Sequence, residues 1–419
     1  MIVIVGGGIA GLSLALTCHQ IGAPFRVLEA ARAIEPLGVG INLQPNAVRE
    51  LFDLGLEQDL AAIGVETREY GLFSKRGRAI WTEPRGRFAG YRWPQYSVHR
   101  GALQMLLYRT LLERAGSASV ETGWRATGFE NVPGGAVVHL QAPDGATRSV
   151  LGSVVIGADG IHSALRAQME PDEGPPIWAG AILWRGTTRA RPFRTGASMV
   201  LIGHATQRLV AYPISPPDSD GLATINWIAE LTSDAGAGWR REDWNRTADL
   251  ADFLPRFADW RFGWIDAPEL IQGAAKVYEY PMVDRDPIAR WTHGAVSLIG
   301  DAAHATYPVG SNGASQAIVD ARKLGSHLLA HRIGPAALAA YEQEMRPLTS
   351  KIILTNRGSG PDAVLQQVED RCGGAFEAIE DVIPKEDLAR HAVRYKRVAG
   401  FGIEELNARP PIIAAGARL

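Results

Sequence analysis

Four apolar residues, Ile2 to Val5, run unbroken into GGGIAG, and behind the glycines Leu12, Leu14, Ala15, Leu16 and Ile21 recur at helical spacing. Phe25-Arg26-Val27-Leu28-Glu29 then returns to a strand pattern. The order strand, tight glycine turn, helix, strand within about thirty residues predicts a βαβ unit at the N-terminus. Further on, LQMLLYRTLLE over 103–113 predicts a helix, and SVVIG over 153–157 and VSLI over 296–299 predict short buried strands ending at GAD and GDA. Past Gly313, the positions Ala314, Ala317, Ile318, Ala321, Leu324, Leu328 and Leu329 mark one face of another helix.

Between 177 and 231 the texture changes. IWAGAILWRGTTR, ASMVLIG, RLVAYPIS and LATINWIAEL are β-rich runs separated by Pro, Gly, Ser and Asp turn signals. They predict a mostly antiparallel sheet inserted in the first domain. The fold class is therefore α/β, with a Rossmann-like domain, an inserted antiparallel sheet and C-terminal helices. The expected division is a discontinuous nucleotide domain over 1–75, 97–175 and 276–345, a substrate-binding domain over 76–96 and 176–275, and a helical segment over 346–419.

Composition narrows the function classes. At 419 residues, with 46% apolar and 21% charged residues, the chain has ample material for a buried core. Its 43 basic and 45 acidic residues leave a formal charge of -2, so nothing global draws it to nucleic acid or anionic lipid. No basic residue precedes Arg26 and no apolar run reaches the roughly 18 residues of a membrane span, so neither a signal peptide nor an integral membrane segment is expected. Cys18 and Cys372 stand far apart without metal-ligand spacing; no metal site is expected, and a reducing cytoplasm is the expected compartment.

Gly6, Gly8 and Gly11 fit G-x-G-x-x-G: one glycine for the tight turn, one for close approach of a pyrophosphate, one for helix and strand packing. The helix start behind them offers free N–H groups and a positive dipole end to phosphates. Glu29, at the end of the second strand, is placed to bind an adenosine ribose and disfavours a 2'-phosphate, pointing to FAD or NAD. Two further acidic loops, Gly157-Ala158-Asp159-Gly160 and Gly300-Asp301, each follow a short apolar strand, where ligands bind in open α/β sheets. A longer ligand with a polyol chain and a tricyclic ring would use all three, which favours FAD.

GGGIAG with Glu29, ADGIHSALR, and IGDAAHATYPVGSNGASQAI together resemble the class A FAD-dependent aromatic monooxygenases, the fold family of para-hydroxybenzoate hydroxylase, over roughly residues 1–360. Within it, PLGVGINLQPNA, PQYSVHRGALQM, WRG, YPMVDRDP and NGASQAI look most similar to phenazine hydroxylases acting on a methylated phenazine carboxylate. The resemblance implies that Gly8, Ile9, Ala10 and Gly11 cradle the FAD pyrophosphate and that Glu29 holds the ribose. It also implies that Arg100 lies near the ribityl and pyrophosphate portion, that Asp159 and Gly160 serve the pyrophosphate and NAD(P)H handling, and that Asp301 binds a ribityl hydroxyl. Pro308, Gly310, Gly313 and Ala314 would approach the flavin ring.

The implied reaction uses NADH or NADPH and O2 to hydroxylate an aromatic or heteroaromatic small molecule through a flavin hydroperoxide. The cofactor carries the chemistry, so no side chain is assigned as catalytic. Trp184, Arg185, Tyr212, Asn226 and Trp227 of the inserted sheet, with Tyr307 beside the flavin loop, are the candidate substrate contacts: aromatic faces for a flat ring and polar groups to orient it. His304 is read as a support of its loop. An alternative is a FAD-dependent hydroxylase or dehydrogenase acting on a phenol, quinoline or pyridine. A disulfide reductase would need a close cysteine pair, which the sequence lacks. Oligomeric state is not legible.

Overall fold

The computed structural model describes residues 1–232, 248–358 and 360–419. Strand Ile2–Val5 is buried along its whole length and pairs in parallel with Phe25–Leu28 on one side and Val154–Gly157 on the other. Val296–Leu298 and Val120–Glu121 extend this sheet in parallel, and Thr292–His293 closes one edge in antiparallel fashion. Strands covered on both faces need no polar alternation, which is why they read as short apolar runs. Helices Ile9–Ile21, Arg100–Ala115 and Gly313–His331 supply that cover.

Helix Gly313–His331 crosses helix Ile9–Ile21 at a small-residue contact: a Cβ built on Gly325 would fall 2.3 Å from Thr17 Cγ2. The close approach brings the first turns of both helices to the carboxyl end of the parallel sheet, where Gly300 lies against Ala10 and Ala317.

The second layer is a seven-stranded sheet in the order Val277–Asp284, Ile177–Ala190, Ala223–Thr232, Gln207–Pro213, Ser198–His204, Glu69–Phe73, Ala79–Pro84. It is antiparallel except where Ser198–His204 runs parallel to Glu69–Phe73. Two seams therefore differ from the expected division. Glu69–Phe73, expected in the 1–75 nucleotide segment, and Val277–Asp284, expected in 276–345, both belong to this sheet. The chain enters this sheet before the expected boundary at 76 and leaves it after the one at 276. Residues 233–247 of the expected substrate-binding segment lie outside the described residues.

An antiparallel meander of Arg125–Val132, Gly135–Gln141 and Thr147–Gly152 was not foreseen. The C-terminal region forms helices Ala363–Cys372, Lys385–Val398 and Ile403–Ala408. Its end is tied back to the first layer, where Arg49 donates to the carbonyls of Arg409 and Pro410 and Leu419 N donates to Ile21 O.

Candidate active site

Three loops at the carboxyl ends of the parallel strands are in direct contact, and glycines make the contact possible. Gly6 has φ +111, and a Cβ there would fall 2.3 Å from Ala158 O, so the first loop abuts the GAD loop. Gly300 has φ +57, and a Cβ there would fall 2.8 Å from Ala10 Cβ, so the GDA loop abuts the first helix. Each of these positions combines a left-handed backbone with a close neighbour, which leaves glycine alone acceptable. A Cβ on Gly11 would lie 2.0 Å from Gly6 O.

Other glycines of the same loops face open space. A Cβ on Gly8 or Gly160 meets nothing within 4 Å, and one on Gly313 meets only Asp301 Oδ1, at 4.0 Å. Gly8 caps helix Ile9–Ile21, and Asn312 precedes helix Gly313–His331, both without a side-chain cap, so the first-turn N–H groups have no side chain answering them. Ala10 is nearly buried and Ala314 half-buried at these two helix starts.

Glu29 accepts hydrogen bonds from Gly7 N at 2.6 Å and Ala31 N at 2.7 Å, so its carboxylate is fixed over the glycine turn. Gln104, on helix Arg100–Ala115, donates to Gly7 O at 2.9 Å. Asp159 Oδ2 accepts from Ala164 N at 2.8 Å, while Oδ1 is buried without a protein partner. Burial raises its pKa, against the opposing pull of hydrogen bonds from Ser163 and nearby backbone N–H groups. Asp301 is exposed at the start of the turn Asp301–His304. Arg100 is exposed at the start of its helix, and Pro308 is exposed in the loop before Gly313.

Two side chains that the motif reading passed over hold these loops together. Arg166, 1% exposed, donates to Ala302 O at 3.1 Å, Ala303 O at 2.8 Å and Asp286 O at 2.8 Å, and it pairs with Glu173. It thereby links ADGIHSALR to GDAAH. Asp320, fully buried, takes Gly300 N and His304 Nε2 on one oxygen. Arg166 lies inside a recognised motif and Asp320 seven residues past Gly313, yet neither spacing reveals the partner.

The inner face of the seven-stranded sheet carries Leu183, Arg185, Tyr212, Asn226, Ile228 and Tyr280, with Tyr307 packed against Leu183, Ile228 and Met282. Asn226 Oδ1 accepts from Gly40 N at 2.7 Å, and Arg185 Nη2 donates to Gly40 O at 3.2 Å. These two side chains tie the sheet to strand Gly40–Leu43 of the other layer. Arg185 Nε and Asn226 Nδ2 are buried without a protein partner. The Arg185 guanidinium lies 5.8 Å from the Tyr280 ring centre. Desolvation lowers the Arg185 pKa, opposed by Tyr212 and Tyr280, and nearby Arg100 lowers it further. Burial pushes the Tyr212 phenol up to about 12. Tyr307 is likewise raised to about 12, by burial first and then by Asp284.

Trp184 and Trp227 are corrections. Period-two alternation puts them on the opposite face from Arg185 and Asn226. Trp184 stacks on Phe253 at 4.7 Å and donates to Glu279 at 3.2 Å. Trp227 is fully buried, donates to Thr188 Oγ1 at 3.0 Å and fills the space over Gly186. Both belong to the apolar core packed behind the sheet.

The open glycine cradle, the uncapped helix starts and the orphaned Asp159 oxygen fit an elongated phosphate-bearing cofactor laid across three loops. Comparison with known proteins agrees. A family profile described as "FAD binding domain" matches residues 1–355. The phenazine 1,6-dicarboxylic acid hydroxylase of Lysobacter antibioticus is 46% identical over 361 residues, 85% of this chain and 89% of that one. A 3-amino-4-hydroxybenzoate 2-monooxygenase of Streptomyces platensis is 32% identical over 398 residues, 91% of this chain and 94% of that one. The crystal structure of Klebsiella pneumoniae HpxO complexed with FAD and uric acid superposes with a TM-score of 0.70 at 23% identity, covering 98% of this chain and 97% of that one.

The chain belongs to the FAD-binding-domain family of class A flavin-dependent aromatic hydroxylases. It is a flavin monooxygenase whose cofactor is FAD. Among the described residues no helix is long and apolar enough to cross a membrane.

Proposed function

We propose that this enzyme uses NADH or NADPH and O2 to hydroxylate a flat, carboxylate-bearing heteroaromatic ring of the phenazine type. The observation that carries the reading is Arg185: a desolvated guanidinium with an unpartnered Nε, beside Tyr280 and Tyr212, on the sheet face that reaches Gly40 and packs against Tyr307. A buried cation of this kind is costly unless an anion completes it. The substrates for which those relatives are named, a phenazine dicarboxylic acid and an aminohydroxybenzoate, would supply that anion as a ring carboxylate.

In this reading Gly8, Ile9, Ala10 and Gly11 receive the pyrophosphate, Glu29 the adenosine ribose, and Asp301 a ribityl hydroxyl. Arg100, Asp159 and Gly160 line the phosphate portion, and Pro308, Gly310, Gly313 and Ala314 border the flavin ring. When bound, FAD supplies the electron transfer from the nicotinamide and the activation of O2.

The chain's own residues do the rest. The first N–H groups of helix Gly313–His331, which no side chain caps, would favour negative charge on a flavin held there. Arg185 orients the substrate through its carboxylate, and Tyr212 and Tyr280 stay protonated and offer hydrogen bonds to ring heteroatoms. Leu183, Ile228, Met282, Tyr307 and Val309 form an apolar cluster that would keep water away from a ring held beside it. Asn226 holds the two layers in register through Gly40.

The test is a substrate series on the yellow holoenzyme. Phenazine-1,6-dicarboxylate and phenazine-1-carboxylate should stimulate NAD(P)H oxidation, unsubstituted phenazine should not, and hydroxybenzoates should do so weakly. Product mass then separates simple oxygen addition from hydroxylation with loss of CO2. Equal stimulation by phenazine with and without its carboxylate would remove Arg185 from the account.

A further inference from the structure

Residues 356–419 lie beyond the span that the family profile matches. One of their side chains nevertheless reaches the loop before helix Gly313–His331. Tyr395, on helix Lys385–Val398, is 5% exposed, and its hydroxyl lies 2.8 Å from Asn312 Nδ2, 3.0 Å from Asn356 Oδ1 and 3.4 Å from Val309 O. A phenol has one proton, and an amide nitrogen can only donate. Tyr395 Oη therefore accepts from Asn312 and donates to Asn356, with Val309 O as the weaker alternative. Asn356 donates in turn to Thr306 Oγ1 at 3.0 Å, so the loop is held at both ends by one connected set of hydrogen bonds.

The backbone between those ends is not one the sequence would adopt unaided. Gly310 has φ +72 and Ser311, which carries a side chain, has φ +54. The left-handed region is unfavourable for an L residue such as Ser311 and persists only where its surroundings impose it. A Cβ on Gly310 would fall 1.8 Å from Tyr395 Oη, so the phenol fills the space beside the turn. Gln44 Nε2 donates to Gly310 O at 3.3 Å, and Gln316 Nε2 donates to Ala399 O at 3.0 Å, pinning the same loop and the first turn of its helix to both neighbours. Burial raises the Tyr395 pKa above its ordinary value, with the Asn312 hydrogen bond pulling the other way, so the hydroxyl is a neutral donor.

We propose that Tyr395 is a positioning residue of the FAD site: through Asn312 and Asn356 it holds Val309–Asn312 in the left-handed turn that presents the start of helix Gly313–His331 to the cofactor. This rests on the placement of the flavin ring against that helix start. It makes the C-terminal segment part of the cofactor site, although it lies outside the matched family region.

Tyr395→Phe keeps the ring and removes the hydroxyl. Release of FAD from diluted holoenzyme, followed by flavin fluorescence, should show roughly three- to tenfold weaker retention, the factor expected for one lost hydrogen bond in a buried set. The visible absorption of the flavin that remains bound should shift, beside the modest drop in melting temperature that the unpaired Asn312 and Asn356 amides themselves cause. Asn312→Ala should act in the same direction, and combining it with Tyr395→Phe should add little, since both break one connected set. Asp301→Ala is the reference that tests the placement itself. If Asp301→Ala sheds FAD while Tyr395→Phe keeps wild-type retention and spectrum, the positioning role is wrong and the placement stands. If both variants keep FAD as wild type does, placement and positioning role fall together. If Tyr395→Phe lowers only the melting temperature, the residue is merely structural and the proposal is rejected.

Discussion

His304 and Asp320 form a fully buried pair, Nε2 to Oδ2 at 2.5 Å, and the same carboxylate oxygen accepts Gly300 N at 2.9 Å. The pair therefore sits beneath the turn that presents Asp301. Burial by itself would lower the imidazole pKa, but the Asp320 charge and hydrogen bond, with Asp301 nearby, outweigh it and raise it above the ordinary value. A folded pKa raised above the unfolded value of about 6.5 contributes stability that is complete below about pH 6.5 and is lost as pH rises through the folded value. His304→Leu, which leaves Asp320 without its partner, should cost about 3 to 5 kcal/mol. Melting curves should show its deficit against wild type narrowing as pH is raised from 6 toward 9.

Gly8 and Gly11, three residues apart, should fail in different ways. Nothing in the protein opposes a Cβ at Gly8, whose φ of -78 suits any residue, so Gly8→Ala should melt within about 1 kcal/mol of wild type yet hold FAD far more weakly. Gly11→Ala would push a Cβ to 2.0 Å from Gly6 O and should lower stability by about 1 to 3 kcal/mol or more even without cofactor. Thermal melts of apoprotein and FAD titrations, run on both variants, separate the two effects.

Arg185 and Trp227 offer a matched contrast across one sheet. Arg185→Met should raise KM for a ring carboxylate about ten- to hundredfold, the scale of a lost charge-assisted hydrogen bond, with a smaller change for uncharged rings. Trp227→Phe should leave KM alone and cost about 1 kcal/mol or more through the lost Thr188 hydrogen bond and the space left over Gly186. Steady-state kinetics with carboxylated and uncharged substrates, beside a denaturant melt, read both outcomes.

Asp301 is exposed beside the open face of Gly313, so its carboxylate is available to a ligand. Asp301→Ala should weaken FAD retention at least tenfold while the apoprotein melts close to wild type, since an exposed carboxylate contributes little to stability even with His304 nearby. Flavin absorbance per protein after gel filtration measures it.

The glycine loops were legible because their chemistry is local: a strand end, a turn that only glycine can make, and a helix start appear together within a dozen residues. The four β-rich runs between 177 and 231 matched strands Ile177–Ala190, Ser198–His204, Gln207–Pro213 and Ala223–Thr232 for the same reason. The facing of those strands was less legible. ILWRGTT carries large residues on both faces, so alternation separates Trp184 from Arg185 without saying which one meets the cleft. The meander over 125–152 carries its own hairpin signals, PGG and PDG, and could have been read. Long-range partners could not. Arg166 to the GDAAH carbonyls, Asn226 to Gly40 and Tyr395 to Asn312 join residues more than 80 positions apart, and no local pattern encodes such pairings.

The most direct measurement is turnover of the FAD-loaded enzyme with NAD(P)H and a phenazine carboxylate under oxygen-18 gas, read by product mass. One labelled oxygen atom is expected in each product molecule, with NAD(P)H consumed in step. Product without the label, or NAD(P)H consumption that ends only in hydrogen peroxide, would contradict it.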